Sequence, residues 1–391
     1  MKHLHRNKNT VKMLGLAATV ALLNGQTANA QQGSSSVQLY GIVDAAMTSA
    51  TTGGAAGVRN MRVDSGVYRS SYWGFRGSED LGGGLKAIFN LEAGFESDTG
   101  AATAYAGNPG FVGTAPAPSI PMGFNRRSFV GVQGNYGTLK LGRDYTAGYY
   151  AQQATDALGF HMWGNAQSAA DLTGTGGERS GRVSNAIFYD APNLAGVRIR
   201  AAYSLGAESG GGTGSAPKDA NKYWGIGAGY VVDKLTLTAA YAELSLATLA
   251  GTPAAFTGST DKRKDVLLGA KYNFDNVSVS GGYASFDQSG PSNTGKQYWL
   301  GGSAKVGTGT LYAQVQKLTR EVAAGTEPRA TVLAVAYSYP FSRRTLAYAS
   351  YGKTRNNAAG NFRLYSSGSA IAGSALGASP QALSVGINHT F

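Results

Sequence analysis

The chain has 391 residues, with 34 Lys and Arg against 22 Asp and Glu, a formal net charge of +12 and no cysteine. Charged residues make up only 14%, well under the roughly 25% usual in soluble domains. The 57 glycines and 22 tyrosines come with only 11 prolines, which excludes a Pro/Gly-rich disordered chain, and the lack of cysteine excludes a disulfide scaffold.

Residues 1–12 carry Lys2, Arg6, Lys8 and Lys12 and no acid, an apolar run follows from Met13 to Leu23, and Ala28-Asn29-Ala30 forms a small-x-small site. This order predicts a signal peptide over residues 1–30, leaving one domain over 31–391. The apolar run is about half the roughly 20 residues a membrane helix needs. Removing those four cations leaves 30 against 22 acids, an excess of 8. No later stretch approaches 18 uninterrupted apolar residues, so a helical membrane protein is excluded. Export leaves a soluble secreted protein or a barrel in an outer membrane. The low charge and the abundance of Gly and Tyr favour a barrel with an aromatic girdle.

Period-2 alternation then recurs along the chain. Val197, Ile199, Ala201, Tyr203 and Leu205 alternate with Arg198, Arg200, Ala202 and Ser204. Trp224, Ile226, Ala228 and Tyr230 alternate with glycines, and Val266, Leu268, Ala270 and Tyr272 with residues that include Lys271. The predicted strands are 37–47, 67–80, 84–96, 125–135, 137–145, 181–190, 195–205, 221–232, 234–245, 264–274, 277–287, 296–306, 310–320, 329–339, 344–353 and 381–391. An even set of strands near the 9–11 residues that cross a bilayer suits a closed antiparallel barrel. The connections alternate between short turns (Leu81-Gly82-Gly83, Asp275-Asn276, Gly307-Thr308-Gly309) and long segments (48–66, 97–124, 146–180, 206–220, 246–263, 288–295, 321–328, 354–380). A soluble all-β protein has no reason to sort connections by parity. The first five strands alternate less cleanly, which fits a protein contact in place of lipid.

Several segments resemble the Gram-negative general-diffusion porins of β-proteobacterial type. They are Ser36-Val37-Gln38-Leu39-Tyr40-Gly41-Ile42-Val43-Asp44, the stretch from Trp73-Gly74-Phe75-Arg76 to Leu91-Glu92, Asn125-Arg126-Arg127-Ser128-Phe129, Asn185-Ala186-Ile187-Phe188-Tyr189-Asp190 and the terminus Val385-Gly386-Ile387-Asn388-His389-Thr390-Phe391. The resemblance covers both ends and the first half; the second half matches by alternation alone. It implies an all-β, transmembrane 16-stranded antiparallel barrel, usually a homotrimer, with short periplasmic turns, long external loops and a third loop (146–180) folded into the lumen. It implies a passive water-filled channel for small hydrophilic solutes and inorganic ions, surrounded by outer-membrane lipids, with Phe391 as the signal read by the barrel assembly machinery. Neither a cofactor nor a nucleic-acid partner is implied.

In such relatives an acidic loop tip faces a ladder of arginines. The ladder positions kept here are Arg126 and Arg182; Tyr72 stands where many relatives have Arg, and Arg76 shares its face. Candidate acids are Asp156 and Asp171, but 161–168 carries none. Arg198, Arg200 and Lys271 add lumen lining by parity. Arg143 falls on the opposite parity and reads as an inter-subunit or turn residue. A pore narrowed by charge with this basic excess and few loop acids is expected to favour anions.

Enzymatic chemistry finds little support. His161 and His389 lack an evident Ser or Asp partner at matching barrel height, and His389 faces outward by parity. The run Gly225-x-Gly227-x-Gly229 has no following helix and is no dinucleotide loop. A barrel enzyme, a plugged adhesin and a substrate-specific porin remain open alternatives at this point.

Overall fold

Long alternating strands and parity-sorted connections do produce a closed barrel. The computed structural model describes residues 35–103, 123–172, 181–206, 222–250, 255–289, 294–322 and 326–391; the predicted signal peptide lies outside them. The first half of the wall holds β1 (Ser36–Thr51), β2 (Arg59–Ser65), β3 (Tyr72–Gly82), β4 (Leu85–Gly94), β5 (Ser128–Gly134), β6 (Gly137–Tyr145), β7 (Arg182–Asp190) and β8 (Val197–Ser204). The second half holds β9 (Tyr223–Val232), β10 (Leu235–Ala250), β11 (Ala255–Asn273), β12 (Val277–Gln288), β13 (Thr294–Val306), β14 (Gly309–Glu321), β15 (Arg329–Pro340) and β16 (Thr345–Asn356). A two-residue pair, β17 (Leu364–Tyr365) and β18 (Ala370–Ile371), lies in the last loop, and β19 (Gln381–Thr390) closes the ring.

Each strand pairs antiparallel with its neighbour, and β19 pairs with β1 from Ile42↔Thr390 to Thr51↔Gln381. Strands β2 and β3 pair with successive halves of β1, Ala45↔Ser65 and Ile42↔Tyr72 marking the change. They share one place in the ring, which therefore has sixteen positions. Closure matters because an unpaired N–H or C=O in hydrocarbon costs several kcal/mol. The seam is finished by the last residue: the Gly41 N–H donates to the Phe391 carbonyl at 3.2 Å and the Phe391 N–H to the Gly41 carbonyl at 3.1 Å.

The outer face is apolar and bare. Leu268, Leu300 and Val385 are 53, 59 and 60% exposed, which only a hydrocarbon surround makes favourable. A strand such as β12, with 12 residues, climbs about 30 Å at ~3.3 Å per residue and a tilt of ~40°, the thickness of the hydrocarbon core. No helix among the described residues is long and apolar enough to cross a membrane.

The wall matches the predicted strands closely, with two differences. Strand β10 runs on to Ala250 and β11 starts at Ala255, so most of the loop expected over 246–263 is strand. The segment expected as one strand over 67–80, preceded by a loop over 48–66, is a hairpin from β1 into β2, a break at 66–71, and then β3. Gly66 adopts φ 72°, Val67 is fully buried, and the chain leaves the wall to meet the third loop inside. The packed core lies there, within the lumen: Leu158, Met162, Trp163 and Leu172 of the third loop pack with Val67, Leu318, Val332, Phe362 and Leu364.

Candidate functional site

The third loop begins with a helix that the alternation pattern did not reveal, α1 (Ala147–Thr155). Thr146 caps it, its hydroxyl accepting the Tyr149 N–H at 3.2 Å. The loop is then fastened strand by strand to the inner wall. Thr238 on β10 donates to the Ala151 carbonyl at 3.0 Å, and Trp299 on β13 to the Thr155 carbonyl at 2.9 Å. Inward glutamines of β13 and β14 continue the attachment. Gln297 accepts from Gln152 at 2.7 Å, Gln314 accepts the Ala157 N–H at 3.0 Å, and Gln316 donates to the Gly164 carbonyl at 2.6 Å. The Trp163 indole donates to Ser384 on β19 at 2.7 Å. Small residues let the loop lie this close: a Cβ on Gly301 or Gly352 would stand 2.7 Å from the Cβ of Ala157 or of Trp163.

The open side of the lumen is the wall from β3 to β8, and Tyr145 at the end of β6 is its centre. Its hydroxyl accepts from Arg126 at 3.0 Å and from Arg182 at 2.5 Å. The Arg182 guanidinium also lies 4.3 Å over the Tyr145 ring, and Arg126 lies 4.5 Å over the Tyr72 ring. Tyr149 of α1 stacks on Tyr145 at 4.0 Å and meets Phe160 edge-on at 5.0 Å. Two guanidiniums that would repel each other are held together by a shared acceptor and by ring faces. Tyr72, the departure from the arginine ladder, therefore supports Arg126 rather than leaving a gap.

Below and beside this pair runs a band of alternating charge. Arg126 lies 3.5 Å from Glu92, Arg127 grips Asp144 through two bonds of 2.8 and 3.1 Å, and Lys140 reaches both Asp144 and Asp190 at 2.7 Å. Arg200 closes it, 3.1 Å from Asp190 and 3.9 Å from the Tyr150 ring centre. Within this band, counting Arg182, five cations face three carboxylates, and Arg143 and Arg198 on the same wall add to the positive excess.

An open cavity of about 490 Å³ separates loop and wall, and its charged lining is Arg126, Arg143, Arg182, Arg363, Glu96 and Asp265. Asp265 is held by Arg263 at 2.8 Å and is thereby offset as a counter-charge. Burial raises the Glu96 carboxyl above its ordinary range, ahead of the lowering hydrogen bonds from Thr103 and Ser65.

Four sequence-based assignments change. Asp156 does not face the pore. It is 2% exposed behind the loop, accepts the Phe160 N–H at 2.6 Å, and burial pushes its carboxyl up to about 6. Asp171 is no free acid: its carboxylate accepts the Arg363 N–H and side chain at 2.6–2.9 Å and the Tyr365 hydroxyl at 2.7 Å. Arg76 shares the inward face of Tyr72 but lies four residues along β3, about 10 Å lower, bonded to Gln38 at 2.8 and 3.0 Å. Arg143 is lumenal. The register slips between Gly142 and Asp144, with Gly142 at φ 132° and Asn185 at φ 50°, and this bulge carries Arg143 to Ser184 and the Asn125 carbonyl at 2.9 Å each.

The other assignments keep their faces. Arg198, Arg200 and Lys271 share the inward parity of the buried Ala202, Ser204 and Leu267. His389 lies on the outward parity of β19, with Thr345 at 2.8 Å. His161 stacks on Tyr68 at 4.7 Å, and burial, with Arg69 nearby, pushes its imidazole down to about 3, so it is neutral. Reading the sequence missed Arg127, Lys140, Tyr145 and Arg363. Inward parity along β6 would have exposed Lys140.

Residues 16–359 match the profile of the Gram-negative porin family. The chain belongs to that family. This porin is 31% identical over 387 residues to outer membrane porin protein 32 of Delftia acidovorans, spanning 95% of this chain and 99% of the relative. Against an outer membrane porin protein of Bordetella pertussis it is 26% identical, spanning 85% and 92% of the two chains. The solved anion-selective porin from Comamonas acidovorans superposes with a TM-score of 0.75 at 27% identity, over 92% of this chain and all of that one. OmpT of Vibrio cholerae, at 13% identity and a TM-score of 0.66, covers 94% and 99% and shares the fold. This porin is a channel protein of the Gram-negative outer membrane, not an enzyme.

Proposed function

We propose that this porin is a homotrimeric channel that favours anions among the small hydrophilic solutes and inorganic ions it passes by diffusion. The observation that carries the proposal is the sign of the charge facing the open lumen. Arg126, Arg143, Arg182 and Arg363 line the cavity against Glu96 and Asp265, and the two loop acids are engaged in packing and in holding Arg363. Fixed cations in a narrow passage raise the local anion concentration. The solved anion-selective relative supports the same reading. A planar bilayer held across a salt gradient tests it. The reversal potential is expected on the chloride side of zero, and a potassium-side potential overturns the proposal.

The trimer rests on the outer surface of the early strands, where Val37, Met47, Met61 and Val63 are more than half exposed. Light scattering on detergent-solubilised porin is expected to return three chains per particle; a single chain refutes it. Phe391, which seals the seam beside Gly41, is assigned as the assembly signal. Deleting it is expected to lower the yield of folded barrel in the outer membrane, and an unchanged yield removes the assignment.

A further inference from the structure

The cavity between loop and wall has two faces of opposite hydrogen-bonding sense. One carries Arg126, Arg143 and Arg182, whose guanidiniums donate and never accept. The other forms where the break at 66–71 meets the turn between β17 and β18, and it brings Ser70, Ser71, Ser366, Ser367 and Ser369 to the same cavity. The two segments are joined directly: the Gly368 N–H donates to the Gly66 carbonyl at 2.8 Å, and the Ser70 N–H to the Ser367 hydroxyl at 3.1 Å. Arg363, just before this turn, is held by Asp171 at 2.6 Å.

The hydroxyl protons of the serine face are already placed on backbone carbonyls. Ser70 donates to Ser367 at 2.9 Å, Ser71 to Asp44 at 3.3 Å, Ser366 to Ser369 at 3.1 Å and Ser369 to Ser65 at 3.0 Å. A hydroxyl oxygen whose proton is committed still has two lone pairs, so this face presents acceptors. Ser71 and Ser366 each turn one lone pair to a backbone N–H, of Asp44 and of Ser369, at 3.0 Å. Ser70 and Ser369, both half-buried, accept no backbone N–H among the described residues. Glu96 extends the acceptor side: its carboxylate lines the cavity and is hydrogen-bonded by Thr103 and Ser65.

We infer that this cavity is a binding site for polyhydroxylated anions of the sugar-acid class, an inference that rests on the anion preference proposed above. Its volume of about 490 Å³ lies within the ~300–1,000 Å³ of small-molecule sites. A chloride ion or an alkyl carboxylate uses the guanidinium face alone. A sugar acid uses both faces: its carboxylate accepts from the arginines, a charge-assisted bond, and its O–H groups donate to Ser70, Ser369 and Glu96. A neutral sugar can reach the serines but lacks the charge that the arginines attract. A cationic sugar meets the acceptors but is repelled by the guanidiniums.

The test measures block of the chloride current through single channels in planar bilayers. Gluconate and hexanoate are compared, each with one carboxylate on a six-carbon chain, with glucose as the uncharged polyol. The half-blocking concentration of gluconate is expected about fivefold below that of hexanoate, or ~1 kcal/mol at ~1.4 kcal/mol per tenfold, the net value of one neutral hydrogen bond. Glucose is expected to need about tenfold more than gluconate. In Ser70→Ala/Ser369→Ala the gluconate value is expected to rise about fivefold while the hexanoate value stays within about twofold. If that variant folds poorly, Ser369→Ala alone is expected to raise the gluconate value about twofold with hexanoate unmoved. Equal block by the two acids in a chloride-preferring wild type, or an unchanged gluconate value in a folded variant, overturns the inference alone. A potassium-side reversal potential overturns the anion preference and the inference with it.

Discussion

Neutralising the guanidinium pair at the constriction, with Arg126→Gln and Arg182→Gln together, should move the ion preference by an amount the structure bounds. The double substitution removes two of the positive charges in excess on this wall. An ion passing about one Debye length away, ~8 Å at physiological salt, gains ~0.5 kcal/mol per charge in bulk water and ~2 kcal/mol at an effective dielectric constant near 20. The pair is therefore worth at least ~1 kcal/mol, or about fivefold in the chloride to potassium permeability ratio at ~1.4 kcal/mol per tenfold. Tyr145 keeps its stacking on Tyr149 at 4.0 Å, so the aromatic frame survives the change. Reversal potentials in potassium chloride gradients supply the measurement. Arg126→Lys with Arg182→Lys, which keeps the charge and loses the planar fork, is expected to retain most of the preference. In ~1 M salt, where the Debye length falls to ~3 Å, the difference between wild type and double Gln variant should shrink. A Gln variant within twofold of wild type would refute the assignment of selectivity to this pair.

The loop that sets the bore yields three more predictions. Gly352→Val places methyl groups against Trp163, whose Cβ lies 2.7 Å from the position of the first added carbon; overpacking of ~1–3 kcal/mol should loosen the loop and give larger, noisier single-channel steps in a barrel of unchanged heat stability, and wild-type steps would count against the packing argument. Asp171→Asn releases Arg363, now bonded at 2.6 Å, and should raise the chloride preference about twofold, one screened charge; a fall in that preference would contradict it. The Asp156 carboxyl is raised to about 6 in the folded loop, chiefly by burial. Its unfolded form ionises first as pH rises from about 4, so loop packing loses up to ~3 kcal/mol between pH 4 and 6 and stays weakened above. Hydrogen exchange of 156–172, corrected for intrinsic rates, should show stronger protection at pH 5 than at pH 7 in the wild type and equal protection in Asp156→Asn; a pH dependence that persists in the variant assigns it elsewhere.

Strand positions were legible because a wall one residue thick writes its two environments into alternate residues, as in Val197–Ser204 and Gln381–Thr390. Parity also placed Arg198, Arg200 and Lys271 correctly on the inner face. Parity fails where the backbone departs from the pleat. The bulge at Gly142 reversed the face of Arg143, and the break at 66–71 turned one expected strand into two. Inside the loop there is no period to read. An acid that packs behind the loop, such as Asp156, and one that clamps a distant segment, such as Asp171 with Arg363, look alike in sequence because burial of the first leaves no periodic mark and the partner of the second lies 192 residues away. Tyr145 was missed for a related reason: a tyrosine takes its role here from two arginines on other segments.

The loop is tied to the half-cylinder of β10–β16 and β19 mainly through uncharged side chains, Thr238, Gln297, Gln314, Gln316 and Ser384, with one charged contact from Arg320 to the Asp171 carbonyl, while the Arg126–Arg182 pair and the ion-paired band from Glu92 to Arg200 occupy the facing half. Width and polarity thus reside in separate portions of one polypeptide. Drift in the charged portion can recast which solutes pass without disturbing the aperture, and drift in the glutamine portion can dilate or narrow the aperture without inverting its sign.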